Sequence, residues 1–355
     1  MSRLDFVYRS GREALGVIDM REILTEGERT YSGEETVGIE KFKYAVDLNW
    51  AKWPASKQDI HVLNGQFDKK GTLYAATDNR DIPVVKFSKD GAYLGSIGEG
   101  LFKKAHSIFL TDHETILVAD TALNVNVIRE ITLGGELVRD FGTIGLAPDS
   151  GYDPNYYNVL LSEGRLPTDE KWLKNGEKNA RLDSIRRRGR NFCRPCNMIV
   201  STSGQYFVAD GYGNAAVHRF NENGEYVTAW GEPGNGLGQF RLVHDVHEDA
   251  LGRLWVSDRE NKRVQIFDQS GVLLAVIHGN LMRIGATWTE GVYTYVGELD
   301  GGVSIFDQEL NCLVQIGAKG SIFHAHGITV DREGNIFLFT NKKNRNNLIK
   351  LEKQR

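Results

Sequence analysis

At 355 residues and 41% hydrophobic content, the chain can bury a large core. Its formal net charge of -4 supplies no basic face, so nucleic acid is not expected as a partner. No apolar run is long enough to span a membrane as a helix, and charges interrupt every apolar stretch of residues 1–9, so no secretory signal is read and cytoplasmic residence is expected.

Residues 1–58 are mixed, with a helix predicted over residues 19–24 and a polar Gly/Glu-rich stretch up to Glu40. Residues 43–50 alternate as a strand and are placed as the outer strand of the last repeat, which would close a ring. The repeats begin at residues 66–78 and continue at 108–120, 197–210, 246–258, a degenerate copy at 288–300, and 328–340. The third and fourth copies show the pattern best. A short alternating strand ends at Asp210 or Asp258; turn formers Asn214 or Asn261 follow; then come a second strand and a turn ending at Gly224 or Gly271. One such sheet cannot bury both faces alone, so the copies must stack. Six repeats, with a usual spacing of about forty residues, together with 39 glycines, predict an all-β fold. The expected form is a six-bladed β-propeller over residues 59–355, with residues 1–58 closing the last blade.

Extra chain, residues 144–190, interrupts the repeats between the second and third copies. Thr168 is placed to cap a helix running from Asp169 toward Arg187, and the basic run Arg186 to Arg190 is read as a solvated surface. Long insertions in compact folds tend to cover sites, so this partly helical segment is read as a lid. Cys193 and Cys196 have metal or redox spacing but lack both a second pair and a βαβ setting; with Cys312 they are read as ordinary semi-buried thiols.

Histidine phase carries the chemistry. His106, His244 and His326 each stand at the entry to an innermost strand, in the second, fourth and sixth repeats. In a closed ring of six, alternate blades are related by about 120°, so the three side chains converge on the axis. Three neutral imidazoles with an open fourth position are what catalytic Zn2+ requires. His61, His113, His218, His247, His278 and His324 are out of phase, although His247 and His324 remain candidates to support the ligands.

Phe192-Cys-Arg-Pro195, Val208-Ala-Asp-Gly-Tyr-Gly-Asn214, Thr228-Ala-Trp-Gly-Glu232, Gly238-Gln-Phe240, His244 and Ser257-Asp-Arg-Glu-Asn-Lys-Arg-Val-Gln265 resemble the catalytic domain of peptidyl-α-hydroxyglycine α-amidating lyase, an NHL-repeat-type propeller. The likeness is dense over residues 191–268. It implies zinc on His106, His244 and His326, a catalytic tyrosine at Tyr212, and active-site arginines at Arg259 and, in the first blade, Arg80. The implied reaction is zinc-dependent cleavage of the C–N bond of a carbinolamide, giving an amide and a carbonyl product, with arginine holding a substrate carboxylate.

The chain departs from that family in places. Ala105, Val243 and Ala325 stand where the family has proline before each ligand, and Gly327 replaces the aspartate that serves structural calcium, so calcium is not expected. Gly213 replaces the disulfide partner of Cys193. These departures and the insertion point to a small-molecule substrate rather than secreted peptides. Two other readings stay open: a zinc-dependent hydrolase or hydratase on the same scaffold, and a non-catalytic NHL-type binding scaffold.

Overall fold

The computed structural model describes residues 5–9, 12–19, 36–57, 60–340 and 347–354. Six antiparallel blades follow one another, the first five each running from an inner to an outer strand in chain order. Blade 1 spans Val62–Phe67 to Tyr93–Ile97, blade 2 Ala105–Leu110 to Leu137–Gly142, and blade 3 Asn197–Val200 to Tyr226–Trp230. Blade 4 spans Val243–Glu248 to Leu273–His278, and blade 5, the degenerate repeat, is a complete sheet from Ile284–Glu290 to Cys312–Ile316.

Blade 6 joins the two ends of the chain. Gly327–Val330, Ile336–Phe339 and Leu348–Lys353 come from the C-terminal part, and Tyr44–Asp47 adds the outer strand, with Lys353 opposite Tyr44 and Lys350 opposite Asp47. Thr36–Val37 extends this sheet. On blade 4, Arg12–Asp19 lies parallel to Leu273–His278, so Asp19 is in a strand. The remainder of the helix predicted over residues 19–24 lies outside the described residues.

The core lies between blades, where one sheet face packs on the next. Tyr74, Ala76 and Val84 of blade 1 meet Ile108, Ile116 and Val118 of blade 2, and equivalent clusters recur around the ring. Phe337 of blade 6 is 1% exposed and packs edge-on against Trp50 and Phe67, at 5.0 and 4.7 Å between ring centroids. Burying such a side chain contributes about 1.5–3 kcal/mol, so this seam is a substantial part of ring closure.

One irregularity positions the site. At the entry to the inner strand the register shifts around Leu63, His106, His244 and Gly285, each the extra residue of a β-bulge. Cys196 and His326 hold the same place in blades 3 and 6, where their N–H groups bond Ala209 O and Phe339 O. A bulge re-aims its side chain away from the regular alternation. The six positions are therefore equivalent, one at the entry to each inner strand.

The insertion carries helices Tyr156–Ser162, Glu170–Leu173 and Gly176–Ser184. Asp169, rather than Thr168, is the cap, accepting from Lys171 N at 2.7 Å, and the expected single helix breaks at Asn175 and stops at Ser184. Aspartate outranks threonine as a cap. Among the described residues no helix is long and apolar enough to cross a membrane.

Candidate metal centre

The imidazoles of His106, His244 and His326 are buried and meet on the axis, their ring centroids 5.0, 4.9 and 4.8 Å apart in pairs. One nitrogen from each lies within 4.8 Å of the others, a group that can hold a metal ion. Their other nitrogens are fixed by the neighbouring blade. His106 Nδ1 is 2.8 Å from Cys196 O, His326 Nδ1 is 2.9 Å from Leu63 O, and His244 Nδ1 bonds Gly285 O. A carbonyl can only accept, so each Nδ1 carries the proton and each Nε2 keeps its lone pair.

Burial holds all three rings neutral. It lowers the pKa of His106 and His244 well below the ordinary value, helped by the other imidazoles and Arg259, and lowers that of His326 to about 4. Neutral imidazoles with orienting carbonyls suit a borderline-soft divalent cation, so the donor chemistry fits zinc. A cavity of about 10 Å³ borders the trio, room for about one water-sized sphere. Larger cavities, each of about 610 Å³, lie at the opposite mouth of the channel and between the insertion and the rim of blades 3 and 4. Neither includes a histidine of the trio.

Tyr212 reaches the trio from the turn after the second strand of blade 3. Gly211 makes this possible: a Cβ there would lie 2.2 Å from Val243 O, so only glycine lets the turn rest on the strand entry that carries His244. The Tyr212 hydroxyl stands 3.1 Å from His106 Nε2 and 3.2 Å from His244 Nε2, and accepts from Arg259 Nη1 at 3.2 Å. Burial raises the Tyr212 pKa, and the guanidinium of Arg259 pulls it back.

Arg259, in the matching turn of blade 4, is buried and donates from Nε to Glu260 at 3.1 Å. Glu260 also accepts from Lys178 of the insertion at 2.9 Å, and Arg283 lies 4.0 Å away. Burial works to raise the pKa of Glu260, but Arg259, Lys178 and Arg283 together hold it below the usual carboxylate value. A second guanidinium, that of Arg194, lies 5.3 Å from the Tyr212 ring centroid, against 5.2 Å for Arg259.

Arg80 is not part of this group. It stands exposed in the corresponding turn of blade 1, and among the described residues it makes no hydrogen bond or ion pair with Tyr212, Arg259 or the trio. His247 instead accepts from Thr289 N at 2.9 Å, and His324 Nδ1 bonds Leu299 O, so backbone carbonyls rather than these rings orient the trio. The thiols of Cys193 and Cys196 are buried and free, with pKa values pushed up to about 12 by burial, so they stay protonated. A Cβ at Gly327 would lie 2.5 Å from Leu63 O, leaving no room for a metal-binding side chain there. Arg194, Glu260, Lys178 and Arg283 were missed by sequence reasoning; Arg194 and Glu260 carried a signal, inside the Cys-Arg-Pro and Asp-Arg-Glu-Asn motifs, and Lys178 and Arg283 carried none.

Repeats and ring define an NHL-repeat-type six-bladed propeller, whose relatives include the peptidyl-α-hydroxyglycine α-amidating lyases. Peptidyl-alpha-hydroxyglycine alpha-amidating lyase 1 of Drosophila melanogaster is 34% identical over 271 residues, covering 67% of this chain and 48% of that protein. NHL repeat-containing protein 3 of Homo sapiens is 25% identical over 236 residues, 65% of this chain and 58% of that protein, so the chain spans well under two thirds of such relatives. No family model matches. Among solved structures, a streptogramin B lyase aligns with a TM-score of 0.57 at 11% identity, covering 91% of this chain and 100% of that one. The virginiamycin B lyase of Staphylococcus aureus aligns at 0.56 and 15%, covering 87% and 99%. At such identities these two show the fold alone.

Proposed function

We propose that this chain is a zinc-dependent lyase that cleaves the C–N bond of a carbinolamide-type small molecule bearing a carboxylate. The observation that carries the reading is the axial trio, with three Nε2 lone pairs presented by rings whose Nδ1–H groups are tied to carbonyls. His106, His244 and His326 would hold the zinc, which when bound polarises the substrate hydroxyl oxygen. Tyr212 sits beside two of the Nε2 atoms, in place to move the hydroxyl proton. The proton leaves the oxygen, a carbonyl forms there, the C–N bond breaks, and a proton is delivered to the departing nitrogen. Amide and carbonyl products balance with no water consumed. Arg259, fixed by Glu260, supplies a planar donor pair for the substrate carboxylate.

Similarity to the amidating lyases supports this reading, with Tyr212 and Arg259 in the motifs they share. Incubation with α-hydroxyhippurate or ureidoglycolate in H₂¹⁸O tests it. Glyoxylate formed with no water oxygen required by the cleavage, read before aldehyde exchange, is the expected result. Benzoate released from α-hydroxyhippurate with one water oxygen would report hydrolysis of the acyl C–N bond and make it a hydrolase instead, and a protein that binds no transition metal would be a scaffold. We also place the chain in a reducing, cytoplasmic setting, supported by its three buried free cysteines; recovery in a secreted fraction would refute that.

A further inference from the structure

We infer that Arg194, from the Cys-Arg-Pro turn of blade 3, is the second carboxylate-recognising arginine of the site and determines its preference for anionic substrates. The inference rests on the site proposed above and assigns to Arg194 the part that the family resemblance gave to Arg80.

Charge pairing singles it out. Arg259, Lys178 and Arg283 surround Glu260, and Arg283 also pairs with Asp300 at 2.5 Å. Arg194 has no such partner: among the described residues no carboxylate lies within ion-pair distance of it. Its recorded contacts are uncharged, with Nε donating to Thr121 O at 2.9 Å, Nη1 to Tyr152 OH at 2.8 Å, and the guanidinium over the Tyr212 ring. A half-buried cation with only neutral partners strengthens its interaction with any anion that arrives, because the surroundings screen it less than water does.

Its backbone is also unusual. Arg194 has φ +61° although it precedes Pro195, a setting that ordinarily keeps a residue extended. The conformation is held by Asn126, whose Oδ1 accepts from Arg194 N at 3.2 Å. Such strained, over-determined residues cluster at ligand sites. In this conformation the Arg194 guanidinium lies over the Tyr212 ring, so that two guanidiniums share that ring beside the histidine trio. Planar two-point recognition of a carboxylate is the chemistry guanidinium serves best. Tyr152, which belongs to the insertion, ties the same guanidinium to the segment read as a lid.

Calorimetric binding of hippurate, an unreactive carboxylate, and of its methyl ester to zinc-loaded protein tests this without turnover. Wild type is expected to prefer the acid, and Arg194→Gln to weaken acid binding about tenfold or more while leaving the ester unchanged. Arg194→Lys should recover part of the loss, and Arg219→Gln, which removes an equal charge from the same blade, should change nothing. Equal acid binding by wild type and Arg194→Gln, or no hippurate binding by wild type, overturns the inference. Should Arg194→Gln fail to fold, undiminished acid-over-ester selectivity in Arg194→Lys does the same. A protein that turns over no carbinolamide yet still separates wild type from Arg194→Gln with hippurate would lose the lyase reading and keep the carboxylate site.

Discussion

Even and odd blades share one backbone device and use it differently. At the bulged entry to the inner strand, blades 2, 4 and 6 present His106, His244 and His326, whereas blades 1, 3 and 5 present Leu63, Cys196 and Gly285. The even blades contribute a side chain; the odd blades contribute only a carbonyl, which receives the neighbouring Nδ1–H. A sixfold repeat thus becomes a threefold site through changes at one position per blade. The lesson is that ligand and orienting group come from the same structural position one blade apart, so a shift of one blade against the next disturbs both together.

The strongest break in the comparison is at the even blades. Replacing His106, His244 and His326 together by alanine should abolish both the roughly one zinc per chain and all glyoxylate formation, measured by elemental analysis and enzymatic assay. Undiminished zinc would place the metal elsewhere. Tyr212→Phe removes a hydroxyl without touching a ligand, so zinc content should hold while turnover falls by about 10²–10⁴. A fully active variant would take Tyr212 out of the chemistry.

What could be seen in the sequence follows from which atoms do the work. Strand, Asp turn, strand and Gly turn recur as side-chain types, so the blades and the phase of the histidines were legible, even where the fifth copy had degenerated. The carbonyls of Leu63, Cys196 and Gly285 were not, because every residue has one and only the fold selects which matter. Arg80 and Arg194 show the same limit. The family resemblance pointed to Arg80, in the first blade, but its side chain is exposed, while Arg194, with a positive φ before proline, has its guanidinium over the Tyr212 ring. Nothing in the pattern signalled Lys178, because the insertion has no counterpart in the other blades.

The insertion sharpens the contrast on the rim, where Leu182 and Ile185 pack into the core of blades 3 and 4 and its bonds include Lys178 to Glu260, Asp183 to Arg241 at 2.7 Å, and Tyr152 to Arg194. Replacing residues 150–188 by a short linker should leave the propeller folded, by circular dichroism, and reduce turnover about tenfold or more through loss of arginine positioning. Unchanged activity would reject the lid. A smaller effect is expected with pH. His326 falls from an ordinary 6.5 to about 4 on burial, so the unfolded chain binds more protons between those values and stability drops as pH falls through them. In metal-free protein, wild type should therefore lose melting temperature more steeply than His326→Asn over that window; parallel curves would mean the ring is not held neutral.

The mildest test lies in an odd blade. Cys196→Ala deletes a buried thiol that packs with Phe207 and Val243 but leaves the carbonyl that receives His106 Nδ1–H. It should lower stability by about 1 kcal/mol and leave zinc affinity and turnover unchanged. Gly285→Ala provides the contrast within the same set, because its Cβ would lie 1.9 Å from Ala325 O and force apart the strands that carry His326 and the acceptor of His244. If the odd blades serve through backbone alone, the first variant keeps the metal and the second weakens it. Zinc lost from Cys196→Ala at full fold would show that its thiol, held protonated by burial, does more than fill space.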